Sequence, residues 1–239
     1  VDSSAASDVY KRQSMDFSKS MIAYVKQEYG VDPVYEAQAG EKETDFRSYL
    51  LKAKATNPDA LVCSGLVDET VRCLVQSYEV GIPKSVARVA NSVASKVEVP
   101  TNAGSAAVGV SYAAAFAASD TRPIAKDFVK HIKKRYGVVP GHDFSQMEDL
   151  LTMLKPALEK AEKRFSGDLA SDRKAVRDSI AGITNFTGLA SGPISFCAAG
   201  SPECRDGNRT PVMIEYTKGG KNWKTKVAGT VTFNASAGL

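Results

Sequence analysis

Four cysteines, two histidines and three short stretches rich in hydroxyl, amide and glycine residues are where this 239-residue chain could do chemistry. The three stretches are Ser64-Gly65-Leu66-Val67, Asn91-Ser92 and Ser111-Tyr112, and each lies at the end of a short apolar run. Glycine lets a ligand approach the backbone closely. The hydroxyls and the amide are neutral donors and acceptors, and Tyr112 adds an apolar face with a polar tip. Such groups hold a small polar organic molecule by hydrogen bonds. Two other roles remain open: Ser64 and Ser92 can cap the helices that follow them, and Tyr112 can be a plain hinge or core aromatic.

Cys197 and Cys204 flank the polar loop 198–203 with no histidine nearby, a setting that fits a disulfide in an oxidising compartment. Cys63 falls in an apolar run and Cys73 on a helix, so both are expected as small buried thiols. No metal is expected, because a lone Cys-x6-Cys is not a zinc spacing and zinc needs four close ligands. His131 lies on the basic stretch 130–135 near a helix C-terminus, where the helix dipole accounts for positive charge. His142 precedes Asp143, but no G-x-S-x-G, H-E-x-x-H or phosphate-loop pattern accompanies them. No catalytic residue and no cofactor is assigned, and an enzyme is the weakest reading.

These groups must be positioned by regular elements. Phe17, Met21, Ile22, Tyr24 and Val25 recur at helical spacing, predicting a helix over about 17–29 that Gly30 ends. Phe46, Tyr49, Leu50 and Ala53 predict a second helix, and Ala60-Leu61-Val62-Cys63 a buried strand. A third helix carries Val71, Leu74, Val75 and Tyr78 after the acidic turn Asp68-Glu69 and closes at Gly81. Strands are predicted over 86–90 and 107–112. Short strands alternating with amphipathic helices imply parallel βαβ units, because parallel strands need a long crossover. From Arg122 the pattern turns helical, with Ile124, Phe128 and Ile132 on one face and Met147, Leu150, Leu151, Leu154 and Leu158 on another. Pro156 is expected to kink or split that second helix. A further helix over about 172–181 precedes short strands at 193–196 and 212–216, and Gly219-Gly220 predicts a hairpin between Tyr216 and Trp223.

Composition agrees with an ordinary globular protein: 43% of the residues are hydrophobic and 24% charged, which excludes disorder of the whole chain. The formal charge of +4 is too small and too evenly spread for a nucleic-acid footprint. No run approaches the roughly 18 apolar residues of a membrane span, so stable membrane insertion is not expected. Asp8 to Gln13 read as the translation of GATGTGTATAAGAGACAG, which resembles a transposon-end sequencing adapter. Residues 1–13 are therefore expected to be an artefact, and the coding sequence to be truncated behind them.

From Thr44-Asp45-Phe46 onward the order of motifs resembles the type I periplasmic solute-binding proteins of ABC transporters, the group that includes branched-chain amino-acid binders. The resemblance rests on Asn57-Pro58-Asp59-Ala60, Glu79-Val80-Gly81-Ile82, the stretches 127–137 and 172–177, and Gly188 through Gly192-Pro193-Ile194-Ser195-Phe196. It implies an α/β fold of two lobes with parallel sheets, the first lobe mostly missing. Residues 14–122 would be a second-lobe segment, 123–183 a helical segment of the first lobe, 184–228 strands and a hairpin returning to the second lobe, and 229–239 a tail. It also implies a small polar solute such as an amino acid, amide or organic acid, partner membrane subunits of an ABC importer, and a periplasmic or extracytoplasmic location. The same fold serves in receptors and regulators, so a ligand-sensing domain is the alternative. The amino-acid binders place a carboxylate after the second of the strands to neutralise the ligand ammonium, whereas this chain has Asn91. An asparagine cannot neutralise a cation, so the α-amino-acid reading needs Asp68 or Glu69 as a substitute. Met147-Glu148-Asp149 departs from the family pattern as well, since a tyrosine often precedes that aspartate.

Overall fold

The computed structural model describes residues 3–40, 43–190, 193–196 and 211–230. In chain order these form α1 (Ser3–Tyr29), α2 (Arg47–Ala55), β1 (Ala60–Cys63), α3 (Val67–Glu79), β2 (Ala87–Ala90), α4 (Glu98–Ala103), β3 (Val110–Ala114), α5 (Pro123–Tyr136), α6 (His142–Glu162), α7 (Leu169–Ala181), β4 (Val212–Lys218) and β5 (Lys224–Thr230). Two 3-10 turns, Ser92–Ser95 and Gly104–Ala107, flank α4. The strands form one sheet ordered β1-β2-β3-β4-β5. The chain divides into two compact units, Val1–Ala113 with Glu215–Lys226, and Ala114–Ile214 with Val227–Leu239.

In the first unit β1, β2 and β3 are parallel, with Cys63 opposite Ala90 and Ala90 opposite Tyr112. The apolar run predicted as a buried strand is β1 residue for residue, but only Cys63 in it is buried, with Ala60 and Val62 exposed. Gly30 and Gly81 hold φ of 66° and 75° just past α1 and α3, the left-handed geometry that ends a helix. Phe46, Leu50, Ile82 and Val86 form one buried cluster, with Leu61 and Cys73 packed against it. Gln76 joins α3 to the entry of α2: its Oε1 accepts from Phe46 N–H at 2.6 Å and its Nε2 donates to the Thr44 carbonyl at 2.9 Å. The β4–β5 hairpin is present. Thr217 contacts Lys224 and Glu215 pairs with Lys226, the opposite stepping that antiparallel strands require.

In the second unit Pro123 starts α5, where a missing N–H costs nothing, and the basic Lys133, Lys134 and Arg135 end it at the negative end of the helix dipole. Phe116, Ala125 and Leu189 form its buried centre, with Phe128 edge-on to Phe116 at 5.8 Å. The turn at 188–190 is held from both sides. Asp149 accepts from the N–H groups of Leu189 and Ala190 at 2.6 and 2.7 Å, while Arg122 donates to the carbonyls of Gly188 and Leu189 at 3.2 and 2.5 Å. Gly188 is needed there, because a Cβ would lie 2.1 Å from Asp149 Oδ1.

Several expectations are corrected. Pro156 does not split α6, which continues to Glu162 because its buried face, Met153, Ala157 and Ala161, bridges the proline. Among the described residues, 193–196 form no strand; Ile194 makes an antiparallel bridge with Phe186, and Phe196 N–H donates to the Ile183 carbonyl at 3.0 Å. The third strand begins at Val110, since 104–107 wind into a 3-10 turn. Cys63 and Cys73 are not thiols but a disulfide with Cα atoms 5.9 Å apart. The three-residue connection after β1 turns α3 back along the strand, which brings the two side chains together. The expected Cys197–Cys204 bridge lies outside the described residues.

Candidate functional site

Because β1 and β2 run parallel in the register of Cys63 with Ala90, their next residues, Ser64 and Asn91, leave the sheet side by side. Ligands of open α/β sheets bind at such carboxyl ends, where the chain bends away and exposes polar groups. Asn91 is 8% exposed and its Nδ2 donates to the Gly65 carbonyl at 3.0 Å, tying the two loops together. Its Oδ1 has no hydrogen-bond partner among the described residues, and neither has the buried Ser64 Oγ. A buried polar atom without a partner costs about 1–3 kcal/mol, so a pair of them at a strand terminus calls for a ligand or water.

The helix-capping role open to Ser64 is filled by another residue. Leu66 is the N-cap of α3, and Glu69 Oε2 accepts from its N–H at 2.8 Å. Gly65 is buried so close to this carboxylate that a Cβ would lie 2.7 Å from Glu69 Oε2. The Asn91 side chain makes no capping bond to the turn Ser92–Ser95 either. Glu69 is thus committed to the loop backbone, and Asp68 is exposed on the first turn of α3. Leu66, with 47% exposure, and Ser92 face solvent, while Val67 is half-buried.

Tyr112 is placed differently. It is 3% exposed, its ring 5.3 Å from that of Tyr216, and burial pushes its hydroxyl up to about 12 against a bond to Tyr216 that acts the other way. Tyr216 is wholly buried and donates to the carbonyl of Ala94, inside the turn that follows Asn91. The two tyrosines therefore brace the Asn91 loop from below, and the hydroxyl of Tyr112 is turned into the core.

Sequence reasoning missed three further groups. Thr70 Oγ1, one turn into α3, and Ser95 Oγ are also buried without partners among the described residues. Arg88 on β2 is 3% exposed and donates to Ser77 Oγ and the carbonyls of Ile82, Pro83 and Val86 at 3.0–3.2 Å. An arginine at the start of a short strand carries no signal that it will turn inward onto carbonyls.

Elsewhere, His142 Nε2 lies 2.7 Å from Asp143 Oδ1, but the neighbouring Ser145 hydroxyl donates to the His142 carbonyl at 2.7 Å and not to the imidazole. Among the described residues no cluster of three His, Cys, Asp or Glu side chains could hold a metal, and no helix is long and apolar enough to cross a membrane. A groove of about 460 Å³ lies along α6, lined by Leu151, Leu154, Leu158 and Phe165. Lys155, Glu159 and Glu162 also line it, but most of its wall is apolar.

A comparison with curated proteins returned no match. Among solved structures the chain resembles a leucine-binding protein from Thermotoga maritima, at 23% identity and a TM-score of 0.66 over 83% of this chain and 51% of that one. It also resembles a solute-binding protein of an ABC transporter from R. palustris in complex with benzoate, at 17% identity and a TM-score of 0.69 over 91% and 57%. A third similar structure, from Rhodopseudomonas palustris BisB5, holds 3,4-dihydroxybenzoic acid, with 22% identity and a TM-score of 0.62 over 79% and 49%. The chain spans about half the length of these structures. The family model described as periplasmic binding protein matches residues 11–205, most of the chain, and the parallel-dominated α/β sheet is that of the type I fold. The chain belongs to the periplasmic binding protein family.

Proposed function

We propose that this chain is part of the extracytoplasmic solute-binding component of an ABC importer and that it binds a small polar organic solute at the carboxyl ends of β1 and β2. The observation that carries the site is a pair of buried atoms, Ser64 Oγ and Asn91 Oδ1, that have no hydrogen-bond partner among the described residues and sit on adjacent strand ends. Gly65, Leu66, Val67 and Ser92 surround them and supply backbone groups and the remaining hydroxyl. Tyr112 contributes by bracing Tyr216 rather than by contact. The disulfide Cys63–Cys73 supports an oxidising, extracytoplasmic location, and the partners are the importer's membrane subunits.

The same geometry narrows the solute. With Nδ2 committed to Gly65, Asn91 offers an acceptor, so the solute group that meets it is a neutral N–H or O–H donor. A carboxylate placed there would set two acceptors face to face. An ammonium would find no carboxylate dedicated to it, since Glu69 Oε2 is engaged by Leu66 N–H and Asp68 lies exposed on the first turn of α3. Hydroxylated aromatic acids and amides fit better than α-amino acids.

Saturation-transfer NMR on this chain with leucine, benzoate and 3,4-dihydroxybenzoate tests the reading. The expected affinity is weak, about 1 mM or −4.1 kcal/mol, within reach of that method. 3,4-Dihydroxybenzoate, which carries hydroxyl donors, should give the strongest response, and Asn91→Ala should remove most of it. Equal responses from benzoate, or strongest binding of leucine, would overturn the assignment of Asn91.

A further inference from the structure

We infer that the Cys63–Cys73 disulfide is a positioning element for the ligand loop, holding Ser64–Val67 in the geometry that presents Ser64 Oγ beside Asn91. This rests on the site proposed above, but its structural part can be tested without any solute.

The bridge joins the last residue of β1 to the seventh residue of α3, ten positions on, and so encloses the whole connection 64–66 and the first turns of the helix. Cys63 is 2% exposed and fixed in the sheet opposite Ala90, so the bridge fastens α3 to the immovable end of a strand. The enclosed loop has two other ties. The Gly65 carbonyl accepts from Asn91 Nδ2 at 3.0 Å and Leu66 N–H donates to Glu69 Oε2 at 2.8 Å. The Leu66–Glu69 bond lies near solvent, since Leu66 is 47% exposed, and water competes for it, whereas the Asn91–Gly65 bond is buried. Of the three ties only the disulfide is covalent. The Ser64 hydroxyl has no partner among the described residues, so the side chain's place follows from Cys63 before it and Gly65 after it. The disulfide therefore restrains local opening of this segment in the folded state, in addition to shortening the unfolded chain.

The consequence is a linkage between thiol chemistry and solute binding. Reduction by a dithiol converts the bridge into two cysteine thiols while the reductant closes to its own disulfide, so two electrons and two protons pass to the protein. If the oxidised form holds the binding-competent loop, a bound solute must oppose that reduction by the same factor by which oxidation favours binding.

Hydrogen-exchange mass spectrometry on the oxidised chain, on C63A/C73A and on the dithiothreitol-reduced wild type reads the structural part. The expected result is at least tenfold faster exchange confined to peptides covering 60–70, with α5, α6 and α7 unchanged, and reversal on reoxidation. Unchanged exchange over 64–67 would overturn the inference, as would acceleration spread over the whole chain, which marks a bridge that serves global stability alone. Reduced wild type keeps the test decisive if the double variant fails to fold. In a second arm the saturation-transfer response to 3,4-dihydroxybenzoate should fall at least threefold on reduction. Faster local exchange with unaltered solute response would overturn the ligand-positioning role. Absence of solute response in both redox forms would defeat the site reading, and the exchange result would still decide whether the bridge holds the loop.

Discussion

Replacing Arg88 by methionine tests how the strand that carries Asn91 is held. The guanidinium is 3% exposed, donates to Ser77 Oγ and to the carbonyls of Ile82, Pro83 and Val86, and lies 3.9 Å over the ring of Tyr78. Burial draws its pKa below the usual guanidinium range, with the Tyr78 ring acting the other way. Four bonds to a charged donor at about 1.5–3 kcal/mol each would give more than 6 kcal/mol, but desolvating the guanidinium costs several kcal/mol of that. Methionine fills similar volume and removes the desolvation cost, yet leaves the carbonyls facing an apolar chain. We expect a net loss of about 3 kcal/mol, which is a fall of roughly 6–12 °C in Tm for a chain of this size. Arg88→Lys should recover less than half of it, because an ammonium cannot reproduce the planar fork that reaches several carbonyls. Calorimetry and urea unfolding read both variants. A loss under about 1 kcal/mol for the methionine variant, or full rescue by lysine, would refute the reasoning.

Further outcomes follow from other contacts. Asp149→Ala strands two buried N–H groups and should cost about 2–4 kcal/mol; Gly188→Ala should cost a similar amount through its clash with the same carboxylate, and urea unfolding of the double variant should show less than the sum. Tyr216→Phe removes the bond to the Ala94 carbonyl and should lower stability by about 1–2 kcal/mol in thermal unfolding. Because the Tyr112 hydroxyl is raised from 10.0 to about 12, its contribution to stability is complete below pH 10 and is lost as pH rises toward 12; Tyr112→Phe should flatten that part of an alkaline unfolding profile. Asp178, paired with Lys174 and Arg177, is lowered to about 2, so its contribution is present above the usual value of 3.8 and lost as pH falls toward 2; an NMR titration should show this midpoint moving up in Lys174→Ala.

The parts of the fold that could be read in advance are those whose information is local. The run 60–63 is β1, and the glycines at 30 and 81 end α1 and α3, because apolar periodicity and left-handed backbone are properties of neighbouring residues. The segment 92–106, for which no regular element is predicted, belongs to two 3-10 turns around α4, in which Val99, Pro100 and Ala103 are buried by tertiary packing that short-range patterning does not show. Of the site, the strand-end residues Ser64 and Asn91 were legible from the end of each apolar run. That their oxygens are partnerless was not, since it depends on Glu69 taking the cap of α3 and on Gly65 meeting Nδ2 across 26 residues. The cysteine pairing failed for a related reason. Cysteines ten positions apart on a strand and on the helix after it meet only once α3 folds back, which the local setting of each cysteine does not reveal.

The central claim, that a solute lies at the carboxyl ends of β1 and β2, is tested most directly by residue-resolved amide shifts of the isotopically labelled chain titrated with 3,4-dihydroxybenzoate. The largest shifts are expected at Gly65, Leu66, Val67 and Ser92 together with the side-chain amide of Asn91, with their loss in a Ser64→Ala/Asn91→Ala variant that keeps its remaining spectrum. Shifts concentrated instead on Leu151, Leu158 and Phe165 along α6, unaffected by that variant, would contradict it.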